Sequence, residues 1–344
     1  MNDGGEPANP GPAAAPPPTG WRDDPMPRAV LALGITQIIA WGTTLYALGV
    51  LAEPIAKDFG WSRGFVFSGL SLGLVSAALI STSIGRLSDR RGARLVMSIG
   101  AVLAALGLGL LALAQTPAGY LAAWVVLGVA MRMSLYDAAF AALVQVTPSR
   151  GRRAISYLTL FGGFASSVFW PIGHVLAAAH GWRTTLVVFA VLNLLVCLPL
   201  NWWGTSRREE ERHAAKAAIA AKTAPTFAAA PPLDGPARTL AIILFAVVTS
   251  SSAFIVGAMA AHLPPILQAN GLTAALAITL ASLKGFAQVG GRVVELIWGS
   301  HLHPITVGRL TVLFFPLSFL VLIAGGATFT AAFVFTMLFG VANG

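Results

Sequence analysis

The chain has 344 residues, of which 56% are hydrophobic and only 10% charged, with a mean hydropathy of +0.76. Soluble domains carry about 25% charged residues, so a soluble globular fold is excluded and the length does not convert into soluble domains. The formal charge of +9 does not point to nucleic acid: the basic residues fall in short connections between apolar runs, a pattern that reports membrane orientation.

Residues 1–24 are rich in Pro, Ala and Gly and lack the basic and apolar regions of a signal peptide. Residues 1–27 are therefore expected to form a disordered tail. Ten apolar runs follow, at 28–52, 64–84, 95–114, 119–145, 154–178, 184–203, 239–262, 274–298, 308–325 and 327–344. Most are near the length of about twenty residues that a helix needs to cross ~30 Å of hydrocarbon. A membrane barrel would show alternating ten-residue segments instead. The fold class is an all-α polytopic membrane protein. A six-helix half at 28–203 and a four-helix part at 239–344 flank segment 204–238, which is charged and then Ala/Pro-rich and reads as a linker.

With the N-terminus inside, sixteen of the twenty-two Lys and Arg fall in inside segments. Three, Lys57, Arg63 and Arg183, fall outside, and three more, Arg132, Lys284 and Arg292, lie within the runs. That asymmetry orients the tail and linker to the cytoplasm. Scarce Lys beside abundant Arg hints at a GC-rich bacterial source, and so at a bacterial inner membrane. The single cysteine, Cys197, rules out a disulfide framework or a Cys-rich metal site; no cofactor and no metal are expected.

An internal echo relates the two parts, since LGVAMR at 127–132 in the fourth run resembles FGVANG at 339–344 in the tenth. Two six-helix repeats are a common transporter plan; on that plan the second half is expected to be truncated, with about ten of twelve spans present. Between the second and third runs stands GRLSDRRGAR, residues 85–94. Gly85, Leu87, Ser88, Asp89, Arg90, Gly92 and Arg94 match, in register, the inside-loop motif of the major facilitator superfamily, which this chain resembles. The resemblance implies that fold, and a conformational latch in which Asp89 contacts a helix end of the other half while the arginines hold acidic partners. The corresponding position of the second half, GSHLHPITVGR at 299–309, has lost the acidic residue. Short words, AWGTTLYALGV at 40–50, FGWSR at 59–63 and GWR at 181–183, resemble the branch of monocarboxylate and oxalate/formate-type carriers. Those carriers place an Asp four residues before a membrane Arg of the eighth helix. Here that position is Gln288.

The eighth run, LKGFAQVGGRVVEL at 283–296, carries Lys284, Gln288 and Arg292 four residues apart. Glu295 falls within about 20° of the azimuth of Lys284 on a regular helix. Such a stripe must face a neighbouring helix or a cavity, and Gly285 and Gly291 beside it admit close approach. Arg292 and Glu295 are spaced to pair, which leaves Lys284 as the deepest free cation and a candidate anchor for an anion. In the fourth run Arg132 and Asp137 lie roughly 140° apart on a regular helix and are expected not to pair. Arg132 then faces the cavity, and Asp137 either carries a proton or holds an arginine of the 85–94 loop. Gln37, Trp41, Thr44 and Tyr46 of the first run, Ser250–Ser252, His174 and His262 are further candidate contacts.

GLSLG at 69–73 formally fits a hydrolase nucleophile pattern, but that pattern needs a strand-to-helix elbow; inside a membrane helix Gly69 and Gly73 read as a close-packing pair. HExxH and a phosphate-binding loop are absent from the sequence. The expectation is a secondary transporter, not an enzyme, that moves a small organic anion by alternating access, coupled to protons or working as an exchanger. It is expected to act as a monomer in the bilayer, without nucleic acid. A sensor on the same fold, or an efflux carrier for a non-anionic molecule, is the alternative.

Overall fold

The computed structural model describes residues 24–206, 235–298 and 304–344, and these are helical almost throughout. The tail up to residue 23, linker residues 207–234, and His301 and His303 lie outside the described residues. Eight helical stretches are long and apolar enough to cross a membrane. One of them, Gly151–Gly204, has 54 residues, far more than one crossing needs. It turns back at Gly181, whose φ of 81° and ψ of 163° are non-helical, so it supplies the fifth and sixth crossings. The shorter apolar helix Phe329–Asn343 is the tenth.

Helix boundaries follow local chemistry. Asp24 caps the first span, its Oδ1 accepting from the Met26 N–H at 3.0 Å, with Pro25 in the first turn. Ser62 and Thr116 cap the second and fourth spans in the same way. The second span, expected to end near residue 84, continues to Arg91. Most of the 85–94 motif therefore rides on a helix end, and the turn is confined to Gly92 at φ 87°, a conformation that favours glycine.

The first and fourth spans, expected to be continuous, are both broken. The first runs Pro25–Thr43, loses helical form over 44–47 and resumes as Leu48–Phe59. The fourth runs Pro117–Ser134 and Tyr136–Val146, interrupted by Leu135 in extended conformation.

Close contacts repeat in the two halves. A Cβ on Gly128 of the fourth span would sit 2.0 Å from the Gly73 carbonyl oxygen of the second, and one on Gly340 of the tenth 2.6 Å from the Lys284 carbonyl oxygen of the eighth. The echoed words thus place their glycines at equivalent helix crossings, as expected of a pseudo-repeat. Gly69 and Gly73 both lie against Trp124, the packing role read from GLSLG. The halves meet where Gly285 of the eighth span passes the fifth: a Cβ there would come within 2.6 Å of the Gly163 carbonyl oxygen.

The two ends of the bundle differ. At the end away from the 85–94 motif, Phe67 of the second span packs on His262 of the seventh, ring centroids 4.1 Å apart. There FGWSR and GWR form one contact: Phe59 stacks on Trp61 at 4.1 Å, and Asp58 accepts from Trp182 and pairs with Arg183. Toward the motif end, by contrast, the seventh span (Gly235–Ala269) has no buried residue before Met259. Ser250 and Ser251 lie on this exposed stretch, not in a cavity as expected. At the end away from the motif the halves touch through Phe67 and His262.

Candidate substrate site

Breaking a helix at membrane depth frees carbonyls that no water can satisfy, so side chains must do so. At the first break the Trp170 indole N–H donates to the Tyr46 carbonyl at 3.0 Å. Asn193, in a π-helical turn over Asn193–Cys197, donates to the Thr43 hydroxyl at 2.8 Å. At the second break the Gln37 amide donates to the Ser134 carbonyl at 2.8 Å and accepts from Trp41 at 3.1 Å. Gln37 thus ties the first span to the break in the fourth.

The second break also overturns the geometry expected of Arg132 and Asp137. A regular helix would hold them far apart in azimuth, but the extended Leu135 swings Tyr136 and Asp137 round. Arg132 Nη1 and Asp137 Oδ2 form an ion pair across the gap. Asp137 therefore serves Arg132 and not an arginine of the 85–94 motif.

The eighth span (Ala274–Trp298) keeps its stripe in part. Lys284 and Gln288 are buried, Arg292 is half-buried and Glu295 is exposed. The expected Arg292–Glu295 pair is not formed among the described residues; Glu295 lies in the last turn, where nothing covers it. Arg292 instead lies beside Tyr136 and Tyr46, with its Nε and Nη1 buried and unpartnered. Gln288 accepts from Asn343 of the tenth span at 3.0 Å.

Lys284 is only 2% exposed. Its Nζ donates to the Tyr46 hydroxyl at 3.2 Å and lies 5.1 Å from that ring's centroid, within cation–π range. Tyr46 meets Trp170 edge-on at 5.3 Å. No carboxylate pairs with Lys284 among the described residues.

An aromatic layer joins these groups. Trp41 lies 6.3 Å from Tyr46 and 5.0 Å from Tyr136, centroid to centroid. A cavity of about 470 Å³ opens beside the fourth-span break, lined by Trp41, Tyr136, Arg132 and Asp137 together with small residues of the second span. Lys284 and Arg292 do not line it; Tyr46 and Tyr136 stand beside them. The sequence reading missed Tyr136 and Trp170. The signal available for both was an aromatic residue carrying a polar atom deep in a span, which needs a hydrogen-bond partner when buried.

In the latch motif, Gly92 and Arg94 act within their own half. Gln145 of the fourth span accepts from the Ala93 N–H at 2.9 Å and donates to the Ser88 carbonyl at 3.3 Å, and Arg94 stacks 3.7 Å over Trp202. Gly85, Asp89 and Arg90 are exposed, and Asp89 makes no ion pair among the described residues. His174 lines a separate cavity of about 480 Å³ at the end away from the motif, with Glu53 and Arg63.

The chain is 25% identical over 332 residues to a gallate transporter of Pseudomonas putida, an alignment spanning 87% of this chain and 70% of the relative. It is 31% identical over 176 residues to an uncharacterised 38 kDa protein of Thermoproteus tenax, covering 51% of this chain and 46% of that one. Among solved structures, a peptide transporter, POT, superposes with a TM-score of 0.64 at 15% identity, over 94% of this chain and 81% of that one. A bacterial homolog of the human lysosomal transporter Spinster, in an inward-facing unoccupied conformation, gives 0.58 at 16% identity over 93% and 73%. The family model of the Major Facilitator Superfamily matches residues 32–344, and with eight helical stretches of membrane-spanning length among the described residues, the chain belongs to that superfamily of membrane transporters.

Proposed function

We propose that this secondary transporter carries a small organic anion by alternating access, with the anion held where the two broken spans face the eighth. The observation that carries the reading is a charge imbalance at membrane depth. Arg132, Lys284 and Arg292 gather around one aromatic layer, and among the described residues only Asp137, on Arg132, pairs a carboxylate with any of them. Intramembrane charges are costly and mark substrate or ion pathways; an anion arriving here neutralises cation that the protein leaves uncompensated. The similarity to a gallate transporter supports an organic acid as cargo.

On the charge asymmetry of the sequence, the motif end faces the cytoplasm. Asp89 and Arg90 are exposed and form no ion pair among the described residues, which fits a disengaged latch; they would engage the other half when this end closes. Asp137 is the site's candidate for proton coupling, since protonation would release Arg132 to the anion.

The test is counterflow in proteoliposomes. Organic anions, gallate among them, are scanned with and without a pH gradient, beside neutral sugars and amines. The expected result is exchange of at least one acid, lost in Arg132→Gln and in Lys284→Ala. Acid exchange indifferent to both substitutions would overturn the site, and exchange of sugars or amines alone would overturn the substrate class.

A further inference from the structure

The cavity beside the fourth-span break has walls of two kinds. Trp41, Tyr136 and Phe140 present rings to it, Tyr136 and Phe140 being 5.1 Å apart and within 14° of parallel. The second span contributes Leu74 and the small Ala77, Ala78 and Ser81, and Met131 and Leu135 complete the apolar lining. Three aromatic side chains in the lining, opposite small ones, favour a flat aromatic group over a puckered one. At about 470 Å³ the cavity falls within the usual range for small-molecule sites, about 300–1,000 Å³.

The polar end of the cavity is Arg132. Its Nη1 is engaged by Asp137, while its Nε is buried without a partner. A guanidinium offers its donors in a planar fork, so this leaves a second edge for a carboxylate after a small rotation of the side chain. Lys284 donates to Tyr46 and Arg292 lies beside Tyr136, and neither lines this cavity. They add positive potential without touching it.

We infer that the anion is an aromatic carboxylate, its ring seated against Trp41, Tyr136 and Phe140 and its carboxylate on Arg132. This rests on the anion reading above and narrows it. It assigns a specificity role to Phe140, which no charge argument would single out.

The experiment compares benzoate with cyclohexanecarboxylate, alike in charge and carbon skeleton but flat in one case and puckered in the other, as competitors of benzoate exchange in proteoliposomes of the full chain. Acetate and succinate are run beside them. The expected result is that benzoate competes about tenfold better than its saturated analogue, and that Phe140→Leu, which keeps an apolar side chain and removes a ring, brings the two toward parity. Equal competition by the wild-type protein, or exchange of acetate or succinate without benzoate, overturns the aromatic assignment and leaves the anion reading standing. Exchange of none of the acids overturns both. A preference that survives Phe140→Leu unchanged overturns the placement of the ring.

Discussion

The two broken spans solve one problem in opposite surroundings. In the first, residues Thr43 to Gly49 are buried without exception, and the joint is stitched from outside by Trp170, Asn193 and Lys284. In the fourth, Leu135, Tyr136 and Asp137 are all partly or fully exposed to the cavity side. That break is held by one remote donor, Gln37, and by its own Arg132–Asp137 pair. A break enclosed by protein is a fixed joint. A break open to a cavity, with a charged pair that solvent or ligand can reach, is a place where binding can be felt by the backbone.

The contrast can be broken most severely at Trp170. Trp170→Ala removes a fully buried ring and one of the two donors to the Tyr46 carbonyl, which keeps the Gly49 N–H, and should cost about 3–5 kcal/mol, read as a lowered unfolding midpoint in detergent. Trp170→Phe, which loses the donor, keeps most of the volume and leaves the Tyr46 carbonyl its Gly49 N–H, should cost about 0.5–1.5 kcal/mol. A Phe variant as damaged as the Ala variant would shift the weight from packing to the hydrogen bond. Gln37→Leu leaves the Ser134 carbonyl unsatisfied and should also cost about 1–3 kcal/mol; a neutral result would mean that water reaches the fourth-span break.

Access sharpens the same comparison directly. Cys197 is buried and should stay silent to a water-soluble maleimide. Leu135→Cys should then label about tenfold faster than Ala47→Cys; equal rates would erase the distinction between an enclosed and an open joint. Asp137→Asn breaks a pair whose carboxylate is largely exposed, so stability should change by no more than about 1 kcal/mol even where transport is altered.

The smallest effect lies just ahead of the first span and serves as a control for both breaks. Arg150 hydrogen-bonds Asp24 and holds its carboxyl below the usual carboxylate range. A depressed carboxylate contributes stability that is complete above the unfolded value of about 3.9 and fades as pH falls through the folded one. In Asp24→Asn the unfolding midpoint should thus be slightly lower at neutral pH and converge on wild type in strong acid. A difference that grows toward acid would contradict the sign.

Much of the fold was legible because bilayer thickness, turn residues and close-packed glycines act locally. The eighth span was expected at 274–298 and is found as Ala274–Trp298, and the chain reverses at Gly181, between the runs expected at 154–178 and 184–203. The helix breaks were not legible, since TTLYA and MSLYD hold neither Pro nor Gly and both are imposed by partners distant in sequence. Azimuth arithmetic on an unbroken helix then misplaced Asp137 relative to Arg132. On the eighth span the same arithmetic succeeded for Lys284, Gln288 and Arg292, where the helix stays regular. It failed for Glu295 because facing the right way does not guarantee a neighbour.

The crossing of the fifth and eighth spans at Gly163 and Gly285 has a mechanical consequence. On the alternating-access reading proposed above, this close crossing would let the halves roll on each other without separating, a fulcrum set within the membrane. With lever arms of about 15 Å on either side, tilting one half by about 20° moves each end by about 5 Å in opposite senses. A side chain at either glycine would add width to the fulcrum itself, and the two ends could then no longer close in turn.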